Sequence, residues 1–226
     1  MSKGTMPRFI RRCFFLVLFL SLIIAGGGCR RSGFSAASLT PDGVEYALTL
    51  EGDRCLRFSV PELSGAGRPK VEISEADEDG WRRVRMTWDV ASAAAQDELA
   101  ARFDLDIAPD FWWAPHLAPE EGYVVAQHVF RSPAIITAQG PLILAVVPDL
   151  DIVGRRTENP WFLDYDAPAR RFWLGLAKTD VPVHTLFKKA PGMTLAPGKV
   201  ELGFYVTAYR GSGTVPNPWS KTSAFL

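Results

Sequence analysis

Outside the acidic run Glu75–Asp79, three pairs of aspartates stand two residues apart in this 226-residue chain: Asp104 and Asp106, Asp149 and Asp151, Asp164 and Asp166. On an extended strand that spacing points both side chains to one side. A calcium site or a general acid and base can be built that way. Each pair also falls at a strand edge or in a loop beside proline, where aspartate serves turn chemistry, and this is the simpler reading. The acidic run Glu75–Asp79 lacks the ordered oxygen spacing of a calcium loop and reads as a solvated hairpin end. The histidines His116, His128 and His184 show no metal-ligand spacing. His128 shares a strand face with Val124, Ala126 and Phe130, and His184 follows Val181-Pro182-Val183 in a loop. His116 closes the densest aromatic cluster, Asp110-Phe111-Trp112-Trp113-Ala114-Pro115-His116. Flat rings bracketed by polar groups hold sugars, so Trp112, Trp113 and His116 are the candidate ligand contacts. Trp161, Phe162, Trp173 and Trp219 add to the supply. Core packing, or packing against a following domain, is the competing role of such tryptophans. Neither a G-x-S-x-G nor a Gly-rich phosphate loop occurs, and Gly211-Ser212-Gly213 lacks the setting of a nucleophile elbow. No catalytic residue, metal ligand or cofactor is therefore assigned.

Composition bounds the classes. With 47% hydrophobic and 22% charged residues, the chain has the make-up of a packed globular protein. Lys and Arg number 25, as do Asp and Glu. That balance offers no basic face and argues against nucleic-acid binding. Three cysteines cannot form a disulfide framework.

The N-terminus carries an address. Residues 1–12 are basic, Cys13 to Ala25 is an unbroken apolar run, and Gly26-Gly27-Gly28-Cys29 follows. This is the layout of a secretory signal, and the apolar run is short of the roughly 20 residues that span a bilayer. Cys29 after three small residues resembles the lipobox of bacterial lipoproteins, with Gly26 standing where that family usually has leucine. The resemblance implies a signal peptide over 1–28, lipidation at Cys29 and a membrane-anchored protein of the bacterial envelope, periplasmic or at the cell surface. Ordinary cleavage near Gly28 and an uncleaved anchor are the alternatives. Removing residues 1–28 leaves 21 basic and 25 acidic residues, a net charge of −4. Cys55 then becomes the one remaining unmodified thiol, in a strand-like stretch where burial explains it better than reactivity.

Residues 29–43 are small and polar and read as a tether. From residue 44 to 226 the chain is a series of short alternating runs between turns. Val84, Met86, Trp88 and Val90 alternate with Arg83, Arg85, Thr87 and Asp89, and form a hairpin with Val71–Ile73. Leu142–Val147 is apolar throughout, which predicts a central strand covered on both faces. In the run Lys199–Arg210, Val200, Leu202, Phe204, Val206 and Ala208 share one face. The Ala-rich stretch 91–103 predicts the one short helix. Nine or ten strands and that helix make an all-β protein, an antiparallel β-sandwich.

The run His128–Asp151, with Val200–Arg210 and Asn217-Pro218-Trp219, is similar to the N-terminal β-sandwich that precedes an (α/α)6 barrel in bacterial six-hairpin glycosidase-like proteins. The resemblance spans roughly Leu48 to Leu226. It implies an exported module of glycan processing, non-catalytic by itself, that packs against or feeds substrate to a C-terminal glycoside hydrolase domain. The alternative is a self-contained surface lipoprotein that binds carbohydrate or a protein partner.

Overall fold

The computed structural model describes residues 37–114, 123–126, 134–153, 159–179 and 186–225. These form sixteen strands. The first seven are β1 (Ser38–Asp42), β2 (Glu45–Leu50), β3 (Asp53–Ser59), β4 (Lys70–Ile73), β5 (Arg82–Val90), β6 (Ala94–Gln96) and β7 (Glu98–Leu105). Next come β8 (Phe111–Trp113), β9 (Tyr123–Ala126), β10 (Ile135–Gln139), β11 (Leu142–Pro148) and, after helix α1 (Leu150–Val153), β12 (Trp161–Asp166). Then follow β13 (Arg171–Thr179), β14 (Leu186–Ala190), β15 (Met193–Leu195), β16 (Gly198–Arg210) and helix α2 (Thr222–Phe225). Every strand pairing among them is antiparallel.

Two sheets carry the fold. One has eight strands in the order β1-β2-β3-β7-β13-β12-β9-β14, the other six in the order β4-β5-β16-β11-β10-β8, and β15 and β6 form a separate pair. Period-two alternation turns Leu56 and Phe58, Leu99 and Phe103, and Phe172 and Leu174 inward from the first sheet. Val84, Met86, Val200, Leu202 and Phe204 meet them from the second, all buried in one core. Phe204 of β16 stands edge-on to both Phe58 and Phe103, at 5.2 and 4.9 Å, and Phe103 stacks on Phe172 at 4.4 Å. These offset and T-shaped contacts are the arrangements that ring quadrupoles favour, and they tie the sheets face to face.

The β11 expectation holds. Leu144 and Val146 enter the core between the sheets, while Ile143, Ala145 and Val147 join a second apolar cluster on the outer side. Residues after β16 cover that side: Trp219 and Phe225 pack on a floor that includes Trp81, Trp113 and Tyr209. The β4–β5 hairpin also forms, closed by the Asp77 carboxylate, which accepts from the backbone N–H of Asp79 and Trp81.

Two expectations are corrected. Residues 91–103 are not helical: they supply β6 and most of β7. Leu99, Ala101, Phe103 and Leu105 alternate into the core, and that burial outweighs alanine's weak intrinsic preference for helix. The two short helices lie elsewhere, at residues 150–153 and 222–225. The sandwich also begins earlier than composition suggests. Strand β1 lies inside the stretch 29–43 read as tether, paired with β2 across a turn at Gly43, whose φ is +65°. Strands outnumber the expected nine or ten because β7 falls largely in the stretch expected to be helical, β12 and β14 lack a clean alternation, and β1, β6, β8 and β15 are too short or polar for one to register. Among the described residues no helix is long and apolar enough to cross a membrane.

Candidate functional site

Neighbouring residues on a strand face opposite ways, and this separates the two tryptophans of β8. Trp112 points toward the core and stacks on Tyr165 of β12 with ring centroids 6.0 Å apart. Trp113 points outward and meets Trp219 edge-on at 4.3 Å. Each is half-buried, and the two do not form one platform. Cys29, His116, His128 and His184 lie outside the described residues. Cys55 is fully buried, and burial pushes its thiol up, so it stays protonated and packs as a small apolar group.

The aspartate pairs are largely taken by neighbours. Asp104 of β7 accepts from Arg171 Nε at 2.6 Å and Arg102 Nε at 2.9 Å, while Asp106 pairs with Arg54 at 2.9 Å and Arg57 at 3.3 Å. Glu45 joins from β2, bridging to Arg57 and Arg102. Arginine guanidiniums thus occupy the lone pairs that a cation would need. Among the described residues no group of three His, Cys, Asp or Glu is placed to hold a metal ion.

This lattice has a pH signature. Burial pushes the Asp104 carboxyl up, but the bonds from Arg171 and Arg102 more than offset it and hold the group below its usual range. A depressed folded-state value means stability present above the unfolded carboxylate value, near 3.9, and lost as pH falls through the folded one. Thermal melts of the wild type should therefore fall as pH drops below about 4. Asp104→Asn should lower stability by about 1 kcal/mol at neutral pH and flatten that acid limb. An acid limb equally steep in the variant would rule out this pairing as its source.

Farther along the same outer face, a different grouping appears. Trp173 of β13 lies half-buried, directly opposite Asp164 of β12 on one side and Arg102 of β7 on the other. Cross-strand partners share a face, so the indole is flanked by a carboxylate and a guanidinium. Beside it, the buried Gly175 is paired with Ala100 on one side and Phe162 on the other. Lys189 of β14 reaches over the Phe162 ring at 4.8 Å, bonds Glu98 at 2.8 Å and lies 3.9 Å from Asp164. Phe162 and Ala177 stand buried on this same face, and Trp173 packs against them. Burial pushes the Asp164 carboxyl above its usual range, which the Lys189 charge and the Tyr165 N–H oppose. An aromatic surface with donors and acceptors on both sides can stack on a sugar ring and bond its hydroxyls.

Trp173 belongs to the supply of tryptophans seen in the sequence, and its alternation with Phe172 and Leu174 marks it as outward-facing. Asp164 was flagged only as half of a carboxylate pair, and Lys189, Glu98 and Arg102 carried no signal. They come from three strands, β7, β12 and β14, and meet around Trp173 only through the pairing order β7-β13-β12 and the return of β14 to β13. No protein-family model matches this sequence, and no curated protein matches it either.

Proposed function

We propose that this chain is an exported, lipid-anchored, non-catalytic β-sandwich module of glycan processing. It holds sugar on the Trp173 face and presents it to a glycosidase-like catalytic domain. Lipidation at Cys29 tethers it to the membrane. The observation that carries the reading is the half-exposed Trp173 indole between Asp164 and Arg102. Stacking on the indole supplies affinity that tolerates changes in the sugar, and the charged neighbours fix the ring's orientation by hydrogen bonding. Glu45, Asp104, Asp164 and Glu201 on the strands are engaged in ion pairs, which suits holding over bond cleavage.

The test is a glycan array probed with the full-length chain extracted from membranes. Trp173→Ala should lower retention on the bound glycan at least about tenfold, while Trp113→Ala, whose ring is occupied by Trp219, should leave it within about twofold. Cys29→Ser should move the chain from the membrane fraction to the soluble one. Binding untouched by Trp173→Ala, or no glycan bound by the wild type, would overturn the sugar-holding reading.

A further inference from the structure

The registers of the eight-stranded sheet line up from strand to strand. Asp164 stands opposite Trp173, Trp173 opposite Arg102, and Arg102 opposite Ser59. Ser59 in turn stands opposite Glu45, and Glu45 opposite Asp42. Directly paired residues share a face. These six side chains therefore form one row on the outer face, running across β12, β13, β7, β3, β2 and β1. Five steps of about 4.8 Å make the row about 24 Å long. Asp42 is exposed, and the other five are half-buried.

The chemistry of the row narrows what can lie on it. Its charges are matched locally. Asp164 lies 3.9 Å from Lys189, Arg102 pairs with Asp104 at 2.9 Å and Glu45 at 3.4 Å, and Asp42 pairs with Arg54 at 3.2 Å. A self-neutralised row sets up little field for a polyanion. It also lacks the apolar centre on which a stable protein interface is built. Trp173 is its one apolar surface. The exposed large aliphatics among the described residues, Val44, Leu150 and Val215, lie outside the strands of this sheet. What the row offers is carboxylates, a guanidinium and a hydroxyl, groups that accept and donate hydrogen bonds in several directions. The hydroxyls of an uncharged sugar chain need such partners along their whole length.

We infer that the ligand of the Trp173 face is an uncharged, extended oligosaccharide of roughly five units lying along this row, an inference that rests on the sugar-holding reading of Trp173. A pyranose ring is about as long as one step between strands, so successive units keep pace with successive strands. The indole stacks on one unit, and a second covers Arg102. Ser59, Glu45 and Asp42 bond hydroxyls of the units beyond. A chain kept straight by its linkages stays on the row, whereas a coiled chain leaves it after the second unit.

Calorimetric titration of the full-length chain in detergent tests this, with β-1,4-linked glucose and N-acetylglucosamine oligomers from dimer to hexamer as probes. In at least one series the affinity should rise about tenfold from dimer to pentamer and level off at the hexamer. Glu45→Gln and Ser59→Ala, the second of which breaks no described ion pair, should each weaken pentamer binding about fivefold. Both should leave dimer binding within about twofold, whereas Trp173→Ala should weaken dimer and pentamer alike. A dimer bound as tightly as the pentamer, or a length dependence unchanged in both distal variants, would overturn the extended row and leave the Trp173 reading standing. Tighter binding of a galacturonate pentamer would overturn the uncharged class. No binding in either series would overturn the row, and a blank glycan array beside it would remove the Trp173 reading as well.

Discussion

Gly175→Ala should leave little stable protein. The position has no steric room, although its backbone is ordinary extended strand. An added Cβ would stand 2.2 Å from the Leu99 carbonyl oxygen, 2.4 Å from Ala100 Cα and 2.6 Å from Ala100 Cβ. Two of those atoms are backbone and cannot swing aside as a side chain does. β13 cannot shift either. It is hydrogen-bonded to β7 and β12 on its two sides, and Leu174 and Leu176 anchor it in the core. A cost above about 3 kcal/mol follows from overpacking with no route of relaxation. For a domain of this size that lowers Tm by roughly 10 °C, readable by circular dichroism. Adding Ala100→Gly removes only the side-chain clash, so rescue should be partial. A melt within about 2 °C of wild type would mean that the two strands separate more easily than their pairing implies.

Arg83→Ala should be the second large loss, about 3 kcal/mol in denaturant unfolding at neutral pH. Asp149 is almost wholly buried, whereas Arg83 is about a third exposed. Truncating the arginine therefore strands a carboxylate with its water already removed, and the main cost is that unpaired charge. A double-mutant cycle separates the two contributions. Arg83→Met combined with Asp149→Leu should lose less than Arg83→Met alone, because no buried charge then remains. Additive losses would place the cost in the packing of the arginine stem against Tyr205 instead.

The two positions differ in how much the sequence told of them. Asp149 was visible as half of a two-apart carboxylate pair, with metal or turn chemistry as its roles. Its real partner is 66 residues away on β5, a separation that no local spacing encodes. Gly175 was silent, one glycine among 19. Its necessity arises where β7 and β13 approach, and Ala100 on the facing strand is small for the same reason. At Ala100 the Ala-rich composition that suggested a helix over 91–103 thus reflects strand crowding, whereas Ala91, Ala93 and Ala95 are exposed. Trp112 and Trp113 teach the same point from the other side. Their adjacency looked like a platform, but strand geometry sends one ring toward Tyr165 and the other to Trp219.

What the sequence determined by itself is the set of properties that depend on near neighbours. Alternation along β5, β11 and β16 names the buried face residue by residue, because a strand's side chains change sides at every step. The all-β class follows from many such runs separated by turns, and the double coverage of β11 follows from its lack of any polar face. Tertiary structure decided everything that depends on strand order. It brought Asp164, Arg102, Lys189 and Glu98 around Trp173, locked Asp104 between arginines, and set Arg83 on the buried Asp149. The physical reason is that hydrogen-bonded pairing joins residues far apart in the chain, and the free energy selecting one pairing order comes from the shared core, to which every strand contributes at once.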